Sequence, residues 1–273
     1  MNNHPFDQAL QLVQTEPDVY AGESARPYWN MVGPFGGMTA ATALNAVLQH
    51  PALLGEPIAL TVNFAGPVAA GPFTVSATPV RTNRSTQHWL ISLSQTNAAG
   101  VVEVMLTGTA VTAARRSTWS LDDEAMPTVP GPTELPIGQS LRQLEWLSRY
   151  EMRFVQGRLP AEWHGGGEAS LSQLWVRDNP PRPLDFCSLA ALADIFFPRV
   201  YLRRALLVPA GTVSMTVYFH ATPAQLAQSG SGFLLAQARA QAFSDGFFDQ
   251  TAQLWNESGA LLATSHQIVY FKE

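Results

Sequence analysis

Asp194 is the residue of this sequence whose surroundings most clearly suggest chemistry. It is the only ionisable side chain in the apolar run SLAALADIFF, residues 188–197. A carboxylate inside a buried helix costs several kcal/mol unless it is hydrogen-bonded or neutralised, so such a residue is typically kept for a function. A carboxylate in that setting can serve as a general base. The structural alternative is that this end of the helix is exposed to solvent.

The two halves of the chain match each other, which provides an internal comparison. Thr61–Phe64 (TVNF) matches Thr216–Phe219 (TVYF), and further along Gly100 matches Gly259, with an offset that grows slowly and in one direction. This ordered drift indicates a tandem duplication of a helix-then-sheet unit. Generic strand similarity within a single α+β domain is the alternative.

Where the matched positions differ, the polar residue lies in the second half. The pairs are Asp194 with Ala43, Thr212 with Pro57, and Gln267 with Gly108. Taken singly, a glutamine within a strand or a threonine at its start is ordinary. Together the three differences predict an active second copy beside a first copy that is retained for structure.

The first half contains a glycine-rich segment instead. Gly36 and Gly37 end the stretch that leads into an apolar helix. Glycine lets a ligand or another backbone approach a helix N-terminus, where free N–H groups favour an oxygen that gains negative charge. A tight turn packed against the sheet explains the same residues equally well.

Several classes of site lack their sequence signatures. The chain contains no GxGxxG, GxxxxGK[ST], HExxH or GxSxG motif, and its six histidines are not at ligand spacing on any helix. The single cysteine, Cys187, can form neither an intramolecular disulfide nor a thiolate metal cage. We therefore expect no metal and no cofactor, and a reducing compartment, the cytoplasm.

Charge and hydropathy limit the classes of partner that the protein is expected to bind. The net charge is −5, and only 14% of the residues are charged, with the basic ones scattered along the chain, so we expect no nucleic-acid partner. No window approaches the roughly 20 apolar residues of a membrane span, and the N-terminal residues lack a signal-peptide pattern. We expect a soluble protein with no membrane partner.

Segments in which apolar and polar residues alternate predict strands, and two apolar segments predict helices. The chain is therefore expected to have an α+β fold. We predict strands over 58–64, 73–80, 88–95 and 101–112, and then over 150–158, 170–177, 213–220, 233–242, 247–256 and 261–271. The predicted helices are 37–49 and 184–197. A Pro/Gly-rich linker over 126–142 separates the predicted units, 1–125 and 143–273.

The segments that carry these residues resemble the acyl-CoA thioesterase II family. The matching segments are GPFGGMTAATALNAVL, VRTNRST, LWVRD, LDFCSLAALADIFFP, TVSMTVYFH and GALLATSHQ. The resemblance implies an α+β double hotdog fold, in which two fused units each wrap an antiparallel sheet around a central helix. It also implies a catalytic trio at Asp194, Thr212 and Gln267. The sequence departs from the family at Ser214–Val217 (SMTV), where a His-Ser pair is usual.

The activity that the resemblance implies is hydrolysis of fatty acyl-CoA to free acid and coenzyme A. The trio would hold one water, with Asp194 as general base, while Gly36 and Gly37 would line the substrate site. Arg81 and Arg239 would meet the phosphates of coenzyme A, or would simply be solvated residues at strand ends.

Two other functions remain open on the sequence. One is hydration or dehydration of enoyl or hydroxyacyl thioesters, which hotdog folds also host; the other is acyl-CoA binding without catalysis. Because hotdog proteins cover their sheet edges by pairing units, we expect a homodimer or a higher homo-oligomer.

Overall fold

The computed structural model of the protein describes residues 4–138 and 144–273. The chain forms two units, each of which draws on more than one stretch of sequence. The first contains Met1–Ser120, Leu141–Arg149 and Phe186–Leu192, and the second contains Leu121–Ser140, Tyr150–Asp185 and Ala193–Glu273. Within the described ranges, no helix is long and apolar enough to cross a membrane.

The first unit contains three helices and a six-stranded antiparallel sheet. Its helices are α1 (Pro5–Ala9), α2 (Gly36–Leu48) and α3 (Phe186–Leu192). Its strands are β1 (Val13–Glu16), β2 (Val19–Glu23), β3 (Glu56–Phe64), β4 (Pro72–Thr82), β5 (Thr86–Thr96) and β6 (Val102–Ala113). The strand order is β1-β2-β4-β5-β6-β3, and each neighbouring pair is antiparallel.

The long helix α2 is buried on nearly every side. Only Gly36, Asn45 and Leu48 escape full burial. Its sequence is rich in alanine, which favours helix and leaves room for close packing against β3, β4, β5 and β6. The predicted helix over 37–49 is confirmed with each end shifted by one residue.

The second unit has a sheet of the same kind and two short helices. Its strands are β7 (Tyr150–Gln156), β8 (Ser172–Asp178), β9 (Ala210–Phe219), β10 (Leu234–Arg239), β11 (Phe243–Ser244), β12 (Phe247–Asn256) and β13 (Leu261–Phe271). Its helices are α4 (Arg199–Arg204) and α5 (Pro223–Ser229). The order is β9-β13-β12-β10-β8-β7, with β11 paired to β12. The predicted bounds of β12 and β13 are confirmed to the residue.

The predicted helix over 184–197 is wrong in its length. The helix α3 ends at Leu192, and Ala193 and Asp194 form a turn, so Asp194 follows the helix instead of lying within it. The last carbonyls of a helix lack partners inside the helix and need acceptable ones elsewhere. Here the Ser265 hydroxyl on β13 donates to the Ala193 carbonyl at 3.1 Å, which satisfies the chain where it leaves the helix.

The Pro/Gly-rich segment predicted as a linker is packed against the second unit over its described part, 126–138. Met126, Val129 and Leu135 lie against a buried cluster that includes Trp175 and Trp255. The indole N–H of Trp175 also donates to the Pro130 carbonyl at 2.9 Å. Residues 139–142 of the predicted linker lie outside the described residues.

Candidate active site

Asp194, Thr212 and Gln267 are brought together in the second unit as one hydrogen-bonded chain. The Gln267 Nε2 donates to Asp194 Oδ1 at 2.8 Å, and the Thr212 hydroxyl donates to Gln267 Oε1 at 3.3 Å. Gln267 is 4% exposed, whereas Asp194 and Thr212 are half-buried. The three residues are far apart in sequence, so the fold of the second unit creates this cluster.

The direction of these hydrogen bonds follows from the chemistry of the groups. An ionised carboxylate only accepts, so the NH₂ side of the Gln267 amide must face Asp194 and its oxygen must face Thr212. The Thr212 proton is thereby committed to Gln267. The second N–H of Gln267 is directed to the sulfur of Met215 at 3.4 Å. The Thr212 oxygen can therefore act only as an acceptor toward other groups, as an ionised Asp194 carboxylate does.

A β-bulge turns Thr212 toward Gln267. On the paired strands β9 and β13, Met215 lies opposite Gln267 and Ser214 opposite Ile268, but Thr212 lies opposite Val269, so Val213 is an extra residue. Without the bulge, strict alternation would place Val213 on the buried face and Thr212 on the outer face. In the observed register Val213 is 37% exposed, and Thr212 shares the face of Gln267.

The turn that carries Asp194 is anchored on both sides. Ser265 holds the preceding carbonyl, as described above. On the following side Arg199 is fully buried and donates to the Phe197 carbonyl, the Ser170 carbonyl and the Ser172 hydroxyl. Burial lowers the pKa of Arg199 to about 9, so its guanidinium is charged at neutral pH. These contacts fix the turn on strands of the second unit.

The first unit has the same bulge but none of the polar side chains. On β3 and β6, Pro57 lies opposite Thr112 and Ala59 opposite Val111, so Ile58 is the extra residue. The pairing confirms Pro57 as the counterpart of Thr212. The correspondence of Gln267 with Gly108 is wrong. Because Leu60 lies opposite Ala110 as Met215 lies opposite Gln267, the counterpart is Ala110.

Gly36 and Gly37 begin α2, and the packing of that helix explains Gly37. A Cβ on Gly37 would lie 2.5 Å from the Ala191 carbonyl oxygen of α3 and 2.5 Å from the Phe35 ring. The sequence suggested that either a ligand or another backbone lies close to this glycine. The structure shows the backbone of α3 there. Gly36 is half-buried.

Arg239 is not brought to the trio by the second unit, and Arg81 belongs to the first unit. Arg81 is exposed near the end of β4 in the first unit and donates to the Asn83 side chain at 3.0 Å. Arg239 ends β10 opposite Thr251, which itself lies opposite His266. These residues alternate with the buried ones, so Arg239 is on the opposite face of the sheet from Gln267.

Gln250 is a buried polar residue beside the trio that is absent from the residues predicted from the sequence. It lies directly opposite Gln267 on β12 and is 2% exposed. The alternation along FFDQTAQLWN could have revealed it, because Gln250 has the same parity as Phe248 and Leu254, which are buried.

Within 4–138 and 144–273, no group of three or more His, Cys, Asp or Glu side chains could hold a metal ion.

Comparison with known proteins agrees with this architecture in both halves. A family model for the acyl-CoA thioesterase N-terminal domain matches residues 25–113, and one for the acyl-CoA thioesterase C-terminal domain matches residues 122–271. No curated protein sequence is significantly similar to the chain.

Solved structures of the same fold cover nearly the whole chain. A conserved hot dog protein of unknown function from Alicyclobacillus acidocaldarius is 44% identical, with a TM-score of 0.92 over 100% of this chain and 99% of that one. A putative thioesterase II from Thermobifida fusca is 21% identical, with a TM-score of 0.81 over 98% and 97%. The acyl-CoA thioesterase II TesB2 from Mycobacterium marinum is 20% identical, with a TM-score of 0.77 over 98% of each chain.

The expected α+β double hotdog fold is thus confirmed, and so is the family resemblance. Both family domains are present in the order expected, and the polar trio lies within the part matched by the C-terminal domain. The chain belongs to the acyl-CoA thioesterase family.

Proposed function

We propose that this protein hydrolyses fatty acyl-CoA thioesters at Asp194, Thr212 and Gln267. The observation that carries the proposal is the hydrogen-bonded chain from Thr212 through Gln267 to Asp194 in the domain matched by the C-terminal thioesterase model. Family membership supports the thioesterase class, and the geometry of this chain supports the assignment of the residues.

The direction of the hydrogen bonds suggests how a water would be held. Asp194 and Thr212 both offer acceptors, so a water between them donates one hydrogen to each and keeps a lone pair free. That lone pair attacks the thioester carbon while Asp194, as general base, accepts the proton. The C–S bond then breaks, and the proton passes from Asp194 to the sulfur of coenzyme A. The products are a carboxylic acid and a free thiol.

Four further residues are proposed substrate contacts. Gly36 and Gly37 would contribute backbone N–H groups at the start of α2. Arg81 and Arg239, neither of which the second unit brings to the trio, would meet the phosphates of coenzyme A, which lie at the end of that molecule remote from the thioester; the exposure of both side chains supports this role.

We also propose that two sequence repeats, 1–125 and 143–273, are joined by the segment 126–142, that the protein is cytoplasmic, and that it assembles as a homodimer or higher homo-oligomer. The single cysteine supports a reducing compartment. Light scattering of the purified protein tests the assembly, with a monomeric mass as the contrary result.

The test of function is thiol release from a panel of acyl-CoAs of different chain length. The wild type is compared with Asp194→Asn and with Asp123→Asn, an exposed aspartate just before the Pro/Gly-rich segment that serves as the matched control. We expect hydrolysis by the wild type and the control, and a loss of about 10² to 10⁴ in kcat for Asp194→Asn, the usual contribution of a general base. Full activity of Asp194→Asn would refute the assignment.

The same panel separates the alternatives. A hydratase or dehydratase would change enoyl or hydroxyacyl substrates without releasing thiol, and a binding protein would show saturable binding without turnover. Either result excludes the proposed hydrolysis.

A further inference from the structure

Gln250 stands out as a buried amide within reach of the proposed site. It is 2% exposed and directly opposite Gln267 on the neighbouring strand. The Cβ atoms of directly opposite residues in antiparallel strands are about 4.5–5.5 Å apart. The Gln250 side chain can therefore reach a molecule that is held by Gln267 and its partners.

The nitrogen and oxygen of the Gln250 carboxamide are not fully enclosed, although the residue as a whole is buried. No hydrogen bond joins this amide to another residue within the described ranges. This is unusual, since buried polar groups are nearly always paired. Other glutamines of the same sheet follow that rule: Gln156, Gln173, Gln237 and Gln253 form a continuous chain of amide–amide hydrogen bonds. An amide that lies on the buried face of the sheet, is still accessible and has no protein partner indicates a partner that belongs to a ligand.

The trio leaves one chemical requirement to other donors, among which the N–H groups of Gly36 and Gly37 have been proposed above. The carbonyl oxygen of a thioester gains negative charge when water attacks, and hydrogen-bond donors aimed at that oxygen accelerate the reaction. The trio has no donor to spare, because the Thr212 hydroxyl is committed to Gln267 and the Gln267 NH₂ to Asp194 and Met215. Gln250 has two N–H groups available on the same face of the sheet.

We propose that Gln250 is a catalytic residue whose Nε2 donates a hydrogen bond to the carbonyl oxygen of the bound acyl thioester. This inference rests on the proposed function and adds a fourth side chain to the site. Gln250 stabilises the oxyanion, whereas Asp194, Gln267 and Thr212 hold and activate the water.

The contact can be tested without turnover by comparing two stable analogues of acyl-CoA. In one, a methylene replaces the sulfur and the carbonyl remains; in the other, an S-alkyl thioether, the carbonyl is absent. Gln250→Met is the test variant, and Gln253→Met, on the same strand with the opposite parity, is the matched control. We expect Gln250→Met to weaken binding of the ketone analogue about 5- to 10-fold, the range of one neutral hydrogen bond. Binding of the thioether should be unchanged, and Gln253→Met should affect neither. Equal weakening of both analogues, or of neither, overturns the proposal.

Kinetics and stability provide an independent readout. The loss of one oxyanion donor lowers kcat about 10²- to 10³-fold. We expect that loss for Gln250→Met with KM changed by only a few-fold, and with a melting temperature close to that of the wild type, because the substitution breaks no hydrogen bond within the protein. A variant with wild-type kcat, or with lowered stability and proportionate loss of activity, contradicts the role.

The experiments distinguish an error in the proposed function from an error in the role of Gln250. If the wild type releases no thiol from any acyl-CoA, hydrolysis is excluded, but the analogue pair still reports whether Gln250 contacts the carbonyl. If the wild type is active and Gln250→Met distinguishes neither analogue, only the role of Gln250 is excluded.

Discussion

The link between Thr212 and Gln267 predicts that the two side chains act as one unit in catalysis. Thr212→Val removes the hydroxyl at nearly constant volume, and Gln267→Met removes the carboxamide. The hydrogen bond between them is 3.3 Å long, beyond the usual range, so its loss should cost less than about 1 kcal/mol of stability. Gln267 also binds the Asp194 carboxylate at 2.8 Å, and hydrogen bonds to charged groups contribute about 1.5–3 kcal/mol.

The expected rates combine these energies with the loss of each side chain's part in holding the water. We expect kcat to fall about 10-fold for Thr212→Val and about 100-fold for Gln267→Met, where 10-fold corresponds to about 1.4 kcal/mol. If both side chains hold the same water, the double variant should be no slower than Gln267→Met alone, a coupling of about 1.4 kcal/mol. Thr212→Ser, which keeps the hydroxyl, should retain most of the activity.

The assay is initial-rate thiol release at saturating acyl-CoA, with melting temperatures measured in parallel to separate rate effects from unfolding. Multiplicative losses, with the double variant about 1,000-fold slower than the wild type, would show that the two residues act independently. A Thr212→Ser variant as slow as Thr212→Val would show that the hydroxyl is irrelevant. Either result refutes the reasoning from the hydrogen-bonded chain.

Two further predictions concern stability. Gly37→Ala should destabilise the fold by about 1–3 kcal/mol in urea unfolding, because its Cβ would lie 2.5 Å from the Ala191 carbonyl oxygen, while Gly66→Ala, whose nearest neighbour is the flexible Met105 side chain at 3.4 Å, should stay within about 0.5 kcal/mol of the wild type. Glu151 should contribute stability that depends on pH: burial alone would raise its pKa, but hydrogen bonds from Arg177 and Arg153 outweigh burial and lower it. That stability is fully present above the ordinary pKa of a glutamate and is lost as pH falls through the lowered value. Glu151→Gln should therefore be less stable than the wild type at pH 7 and converge with it in acid; a constant difference at all pH values would contradict this.

The sequence predicts the repeating parts of the fold well and the irregular ones poorly. Alternation along β12 and β13 and the apolar run of α2 are local patterns, so their bounds can be found without the structure. The end of α3 depends on Ser265, which is distant in sequence, and no local pattern encodes that contact. The offset taken at the turn residues Gly100 and Gly259 also ignores two extra residue pairs at the tip of the first hairpin, so it selected Gly108 where the strand pairing selects Ala110.

The two units show why the same fold carries the proposed chemistry in one copy only. Both keep a one-residue bulge at the same place, so Pro57 and Thr212 occupy equivalent positions, yet proline has no hydroxyl to donate. Ala110 likewise offers no amide where Gln267 does. Restoring these two side chains in the first unit would still leave out the base, because Ala43 lies inside the continuous helix α2, whereas Asp194 lies in a turn beyond the end of α3. The early end of α3 is thus as necessary to the site as the polar side chains themselves, since it frees the carboxylate from the helix and lets Gln267 bind it.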